Sequence, residues 1–267
     1  MSADLTQPLI RKFCSEQFDD LAEAMAGVEQ KPELLRAPGG DALLSGVFTL
    51  FLLDTFDHPD LEPLVERAER FLASLGAQVV PRVLAHFEDS DQKSHERLAR
   101  TLIRIGMPAV PQIMEFHNGC PDPMGRAQVI YALGKIRDPR VGVALPLVVR
   151  DMSSNHEELR DTATRSLGKM ITVIPAQDVP GELKQSMFDT VIERAADPIS
   201  GVRAKGLRTL GKMAAHGYLR EEQAATARRL MEQALGREGA AGPDPAFIVR
   251  REAEIALARL DRWTRQG

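Results

Sequence analysis

One tripeptide recurs along the chain, as Leu133-Gly134-Lys135, Leu167-Gly168-Lys169 and Leu210-Gly211-Lys212. An arginine stands seven residues before each of these leucines, and Arg250 has the same relation to Leu257. Apolar or small residues occur four before and three after each leucine, and positions i, i+4 and i+7 lie on one stripe of a helix. The pattern therefore predicts an internal repeat of amphipathic helices.

The repeat extends over most of the chain. Its leucine positions are Leu72, Leu102, Leu133, Leu167, Leu210 and Leu257. Their separations of 30 to 47 residues are typical of a two-helix unit. One helical hairpin cannot bury its own apolar face, so the units must stack on one another. We therefore expect an all-α protein whose core grows with the number of repeats.

A second helix is expected before each repeat helix. The segments with this pattern are Val79–Glu88, Ala109–Phe116, Val141–Arg150, Glu182–Ala196 and Glu221–Arg237. Asp-Pro precedes a helical pattern at Asp122, Asp138, Asp197 and Asp244. Asp is a good N-cap and Pro suits the first helical position, so each pair predicts a helix start. Ser154 with Glu157 predicts a capping box, and the Gly-rich segment 236–245 predicts a loop.

These features resemble HEAT repeats, in particular the HEAT-like subtype of phycobilin lyases. The resemblance rests on one ordered motif: an arginine, a small residue, Leu-Gly-Lys followed by an apolar residue, a short turn, and then an apolar residue followed by Pro. The resemblance covers residues 61–267. It implies a right-handed α-solenoid of about six HEAT-like helical hairpins in one continuous domain. It also implies that the repeat arginines bond to carboxylates in neighbouring turns, such as Asp151 or Asp197.

Residues 1–60 are expected to form an acidic N-terminal helical cap. They hold 4 Lys and Arg against 11 Asp and Glu, so the remainder of a chain with net charge −4 carries +3. Helices are predicted over Leu5–Phe13, Glu16–Gly27 and Ala42–Phe56, the last with Asp41 as its cap. This last helix is apolar on most faces, which predicts either burial within the chain or a dimer interface.

Composition indicates a folded protein of ordinary type. Hydrophobic residues make up 43% and charged residues 27% of the chain, which are globular values. Cys14 and Cys120 do not form a disulfide framework. The start of the chain is polar, and the apolar stretch Leu43–Leu53 is too short to cross a bilayer. We expect a cytoplasmic protein without membrane contact.

No motif predicts catalysis. Gly206–Lys212 matches GxxxxGK, but it lies within a repeat helix and Met213 stands where Ser or Thr should bind Mg²⁺. HEAT-like deoxyhypusine hydroxylases place His-Glu pairs at equivalent repeat positions, and His95 and His156 differ in phase. His117 and Cys120 have a spacing that a metal uses, but no second pair completes four ligands. We expect no catalytic residue, metal or cofactor.

Basic residues give the functional prediction. In HEAT-like solenoids the second helices line the concave side, and several cations on these helices have no acidic residue beside them in the sequence. They are Arg100, Arg104, Lys169, Lys205, Arg208 and Lys212. We predict a groove in which a non-enzymatic interaction scaffold binds an acidic protein partner.

Two alternatives stay open at this point. A charge run is often only a solvated helix face, and the repeat arginines resemble structural ones. A HEAT-like enzyme or accessory factor is the other alternative, acting on a cofactor-bearing protein as bilin lyases do, or on nucleic acid as DNA glycosylases do. Trp263 is the only tryptophan and the chain is acidic overall, which makes nucleic acid the less favoured partner.

Overall fold

The structure is a computed structural model that describes residues 5–89, 92–239 and 242–265. Throughout these ranges the regular elements are α-helices and short 3₁₀ helices, without a strand. The chain divides into two compact units, one ending at Ile105 and the other beginning at Gly106. Residue 61, where the repeat array was predicted to begin, lies inside the first unit.

The described residues of the first unit form six α-helices. They are α1 Thr6–Phe13, α2 Phe18–Gln30, α3 Gly40–Thr49, α4 Glu62–Ser74, α5 Val80–Asp89 and α6 Gln92–Ile105. Helices α1, α2 and α3 pack together, and α4 packs against α6. The repeat positions Leu72 and Leu102 are fully buried, as the helical stripe predicts.

Helix α3 is shorter than predicted. It ends at Thr49 and continues only as a 3₁₀ turn, Leu50–Leu52. The Asp54 carboxylate then accepts hydrogen bonds from the backbone N–H groups of Phe56 (3.0 Å) and Asp57 (3.4 Å). A side chain that takes backbone donors in this way favours a turn over a helix. Phe56 is therefore 86% exposed and does not belong to the helix.

The apolar faces of this segment are mostly buried within the unit. Leu43, Val47, Leu50 and Phe51 are almost completely inaccessible, whereas Leu52 is 60% exposed. Most apolar side chains of this segment are thus buried within the chain, which is one of the two alternatives that the sequence left open.

The described residues of the second unit form eight α-helices in two layers. They are α7 Val110–Gly119, α8 Pro123–Leu133, α9 Leu145–Met152, α10 Glu157–Met170, α11 Gly181–Ala195, α12 Ser200–Ala215, α13 Glu221–Ala234 and α14 Phe247–Thr264. Helices α8, α10, α12 and α14 are successive neighbours, while α9, α11 and α13 form the other layer. Leu133, Leu167 and Leu210 are fully buried between the layers, which confirms stacked helical hairpins.

The Asp-Pro start signals act in two different ways. Asp122 caps α8 as predicted, accepting from the N–H groups of Met124 (3.2 Å) and Gly125 (2.7 Å). Asp197 and Asp244 each accept from the N–H two residues later, and their helices begin further on, at Ser200 and Phe247. These two carboxylates form turns rather than helix caps.

The Ser154 capping box is also absent. The Ser154 hydroxyl accepts from the His156 N–H (3.1 Å), and α10 begins only at Glu157. Serine forms such a local turn readily, because its side chain reaches the backbone two residues on. The predicted loop lies between α13 and α14, and its residues 240–241 fall outside the described ranges.

The repeat arginines bind turn carboxylates, as the HEAT-like resemblance implies. Arg160 Nε lies 2.7 Å from Asp197 Oδ2, and Arg203 Nε lies 2.8 Å from Asp244 Oδ2. Burial alone would raise the pKa of Asp197, but Arg160 and the Ile199 N–H hold that pKa below its ordinary value. Each pair joins one repeat to the next.

Two of these arginines make no such pair among the described residues. Arg250 donates instead to the backbone carbonyl oxygens of Asp244 (2.6 Å) and Pro245 (3.0 Å), and Arg126 is the other. The expected acceptor for it, Asp151, instead binds the buried His117 ring, and Arg126 Nε is buried without a hydrogen-bond partner. Helix α7 supplies His117 at this place in the second unit, so the carboxylate is already occupied.

Candidate anion-binding surface

Four cations of the second unit share one repeat position, two residues after the repeat leucine. We call them the cation row: Lys135, Lys169, Lys212 and Arg259. The lysines stand at the C-terminal ends of α8, α10 and α12, and Arg259 lies on α14. All four side chains are half-buried, and the row therefore follows the layer of successive repeat helices.

The glycine of each tripeptide brings neighbouring repeat helices close together. A Cβ added at Gly134 would lie 2.5 Å from Ser166 Oγ, and one at Gly168 would lie 2.6 Å from Thr209 Oγ1. Helices that meet through such small residues approach to about 8 Å, the short end of the usual range. Because lysine follows each glycine, this packing also brings the lysines of adjacent helices towards one another.

Tyr131 gathers two members of the row. The ammonium groups of Lys135 and Lys169 lie 5.4 and 5.3 Å from the centre of its ring. An aromatic face attracts cations at this distance. Tyr131 thus offsets part of the repulsion between two like charges.

Lys212 has a backbone partner. Its Nζ donates to the Gly168 carbonyl oxygen at 2.6 Å, in the last turn of α10. The last carbonyl oxygens of a helix lack partners within the helix, and a cation there is favourable. This contact gives Lys212 a structural role, but it supplies no full negative charge.

The cation row has no carboxylate partner within ion-pair distance anywhere in the described ranges. Burial, followed by the charges of Lys135 and Arg165, lowers the pKa of Lys169 to about 8. Burial and then Arg259 lower the pKa of Lys212. The Arg259 Nη1 atom is buried and has no hydrogen-bond partner. An anion bound here would relieve this repulsion.

A small pocket opens between α10 and α12 beside the row. We call it the cation pocket, and its volume is about 80 Å³. It is lined by Arg165, Gly168, Lys169, Lys205, Arg208, Thr209 and Lys212. A space of this size holds a few water molecules or one small anionic group.

Four of the six predicted groove residues are ion-paired, which corrects the expectation that they lack acidic partners. Lys205 binds Asp161, and Arg208 Nη2 lies 2.5 Å from Glu252 Oε1. The sequence did not reveal these pairs, because each carboxylate lies on a neighbouring repeat helix. Lys169 and Lys212 are the two predicted residues that stay unpaired.

The other two paired residues belong to the first unit. Arg104 Nε lies 3.5 Å from Glu69 Oε2, and Arg100 lies 3.9 Å from Glu69 and 2.7 Å from Glu96. Glu69 is fully buried, and burial raises its pKa despite the surrounding arginines. Arg104 occupies the same repeat position as the row, but here an internal carboxylate compensates the charge.

Sequence reasoning overlooked three residues of the site: Lys135, Arg165 and Arg259. Lys135 belongs to the first copy of the tripeptide, and Arg259 stands two residues after Leu257. The signal was therefore the repeat register, which is a better guide to this surface than the density of basic residues along one helix.

The motifs that were set aside lie within or beside the repeat helices. Gly206–Lys212 lies inside α12, and His156 precedes α10. His117 is bound to Asp151, and no group of three His, Cys, Asp or Glu side chains in the described ranges is placed to hold a metal ion. Among the helices that the structure describes, none combines the length and apolarity needed to cross a membrane.

Solved structures with a similar fold are helical-repeat proteins. A chain of the complex of CpcE and CpcF of phycocyanin lyase from Nostoc sp. PCC7120 has a TM-score of 0.54 at 18% identity, over 67% of this chain and 98% of that one. The archaeal HEAT-like repeats protein from Thermococcus onnurineus NA1 has a TM-score of 0.53 at 15% identity, over 97% of both chains.

A chain from the structure of Kap95p with RanGDP has a TM-score of 0.59 at 12% identity, over 97% of this chain and 36% of that one. No family model matches the sequence, and no curated protein matches it. The likeness confirms the fold: this chain is an all-α, HEAT-like solenoid, and its function has to be argued from its own surface.

Proposed function

We propose that the protein is a non-enzymatic adaptor that binds an acidic segment of a protein partner along the cation row. The observation that carries this proposal is the set of half-buried cations, Lys135, Lys169, Lys212 and Arg259, with no carboxylate within ion-pair distance in the described part of the chain. Other cations of the second unit, among them Arg160, Arg203 and Arg228, are paired with carboxylates.

The fold is of a kind that often mediates protein interactions. Two of the similar structures are of complexes, CpcE with CpcF and Kap95p with RanGDP. Stacked repeats expose an extended surface without needing a closed active-site cavity. A row of charges that follows the repeats suits an extended acidic segment better than a compact small molecule.

An acidic partner also fits the energetics of the row. A carboxylate bound beside Lys169 or Lys212 replaces the repulsion between these lysines and their cationic neighbours with attraction. Both lysines are partly desolvated, and charge interactions there are stronger than in open water. Rim charges of this kind mainly increase the association rate and set specificity. Binding should therefore weaken as ionic strength rises, because salt screens the attraction between exposed charges. The screening length is about 8 Å at physiological ionic strength.

The test measures binding of a short fluorescent oligoglutamate peptide by anisotropy. The variant Lys135→Glu, Lys169→Glu, Lys212→Glu should lose salt-sensitive binding. Lys184 lies on α11 in the other layer, so Lys184→Glu should bind like the wild type. Equal binding by the triple variant and the wild type would refute the proposal. Stronger binding to a single-stranded oligonucleotide of equal charge would favour nucleic acid as the partner.

A further inference from the structure

The cation pocket carries more positive charge than its internal carboxylates offset. Five cationic side chains line it: Arg165, Lys169, Lys205, Arg208 and Lys212. Asp161 pairs with both Arg165 and Lys205, and Glu252 pairs with Arg208. Two carboxylates against five cations leave a surplus of three positive charges, which exceeds what a single carboxylate ligand would neutralise.

The groups that are free to bind are of a particular kind. The arginine forks, which suit carboxylates and phosphates alike, already engage Asp161 and Glu252. Lys169 and Lys212 offer compact ammonium charges, and Arg165 Nε is buried without a hydrogen-bond partner. Ammonium groups that converge from two helices suit a tetrahedral oxyanion with three terminal oxygens.

We infer that the cation pocket receives the phosphate of a phosphorylated serine or threonine in the acidic partner segment, an assignment that rests on the function proposed above. A phosphomonoester carries a charge of about −1.5 to −2 and three strong acceptor oxygens. It therefore neutralises more of the surplus charge than a single carboxylate does, and one phosphate group suits the small volume of the pocket.

The surroundings favour a phosphoprotein over a nucleic acid. The Tyr131 ring is already covered by Lys135 and Lys169, so it is not a free face on which a base stacks. The pocket accommodates one phosphate group rather than a continuous backbone.

Three peptides test this inference by titration calorimetry. The parent is Glu-Asp-Glu-Gly-Ser-Gly-Asp-Glu-Glu, the second carries phosphoserine at its centre, and the third carries the same net charge as the second through added glutamates. The phosphopeptide should bind about tenfold more tightly than the other two, because hydrogen bonds to a charged group contribute at least that factor. Lys169→Met and, separately, Lys212→Met should remove this preference, while Lys184→Met should retain it.

The outcomes separate the two proposals. If the charge-matched peptide binds as tightly as the phosphopeptide, the phosphate assignment is wrong, although the acidic-segment function stands. If none of the peptides binds, both are wrong. Inorganic phosphate should compete more strongly with the phosphopeptide than with the parent; no competition with the phosphopeptide would also overturn the assignment. An oligonucleotide that displaces the phosphopeptide at lower concentration than inorganic phosphate would reassign the pocket to nucleic acid.

Discussion

Gly211 lies against the backbone of Ala256, so closely that a Cβ atom at Gly211 would stand 2.6 Å from the Ala256 Cα atom. The contact joins α12 to α14 and places Lys212 beside the helix that carries Arg259. Each copy of the tripeptide thus combines three functions: a buried leucine for the core, a glycine for close helix contact and a lysine for the surface. The packing that stabilises the solenoid also brings together its uncompensated charges.

Replacing Gly211 with alanine should destabilise the second unit. The added methyl group meets backbone atoms, which cannot turn aside as a flexible side chain does, and overpacking of this kind typically costs about 1–3 kcal/mol. This cost exceeds the gain of about 1 kcal/mol in helix propensity. Urea unfolding followed by circular dichroism should therefore show a lower free energy of unfolding.

Gly181 supplies the matched control for that measurement. Like Gly211 it is helical, at the start of α11, but no atom lies within 4 Å of the position its Cβ would take. Gly181→Ala should leave the free energy of unfolding unchanged or raise it by less than about 1 kcal/mol. If Gly211→Ala behaves in the same way, close contact between α12 and α14 is not what glycine provides.

Replacing Arg160 with leucine should be strongly destabilising near neutral pH. Asp197 is only 4% exposed, and without Arg160 its charge is buried without its closest partner, a situation that costs about 3–5 kcal/mol. The lowered pKa of Asp197 contributes stability above about pH 4 that is lost as pH falls through the folded-state pKa. The difference in free energy of unfolding between variant and wild type, measured by urea unfolding, should therefore become smaller at acidic pH.

The surface pair Arg140–Asp138 is the control for Arg160. The Arg140 Nη2 and Asp138 Oδ2 atoms lie 2.6 Å apart, about as close as the atoms of the Arg160–Asp197 pair, but the Arg140 side chain is 73% exposed. Arg140→Leu should change the free energy of unfolding by less than about 1 kcal/mol, because exposed ion pairs contribute little. Similar losses in Arg140→Leu and Arg160→Leu would show that burial does not govern the repeat arginines.

The fold could be read from the sequence because its signals are local and repeated. Leu133, Leu167 and Leu210 recur in one helical register, and the structure buries each of them completely. The early end of α3 was not predictable in this way. The helix ends early because the Asp54 carboxylate accepts hydrogen bonds from two backbone N–H groups. This local turn forms although the preceding apolar residues suit a helix.

The charge state of the surface was harder to predict than the fold. Arg208 pairs with Glu252, and Lys205 with Asp161, each 44 residues away in the sequence. Inspection of one helix at a time shows such cations as unpaired, although the adjacent repeat supplies the carboxylate. Lys169 and Lys212 differ in having no carboxylate within ion-pair distance among the described residues, a difference that only the register of the stacked helices reveals.

Lys169→Met should stabilise the folded protein near neutral pH. The folded-state pKa of Lys169 is about 8, below the value of about 10.4 for an unfolded chain. The unfolded state therefore binds more protons between these values, so this lysine opposes folding fully below about pH 8 and progressively less as pH rises towards 10.4. Since water screens a half-buried ammonium, we expect a gain on the order of 1 kcal/mol at pH 7.

Urea unfolding at pH 7 and pH 10 measures this gain, which should be smaller at the higher pH. Lys184→Met on α11 serves as the control and should show no such pH dependence. A Lys169→Met variant that is less stable than the wild type at pH 7 would contradict the prediction, because it would mean that the ammonium group makes net favourable interactions in the free protein.

Binding of the acidic phosphopeptide should weaken as pH rises from 7.5 to 9. The groups that face Lys169 are Tyr131 and Lys135 from the α8 side, Arg165 on its own helix and Lys212 on α12. In the free protein these cations and burial place its pKa at about 8, and a bound anion raises that pKa because it favours the charged form. Affinity is therefore highest below pH 8 and falls as the ammonium group loses its proton. At pH 9 about a tenth of Lys169 is still protonated, so the loss of affinity should approach tenfold.

The control is Lys169→Arg, which keeps its charge at this pH and should retain binding. Calorimetry in buffers of different ionisation enthalpy should detect proton uptake on binding by the wild type alone. An equal loss of affinity in both proteins would assign the titration to another group.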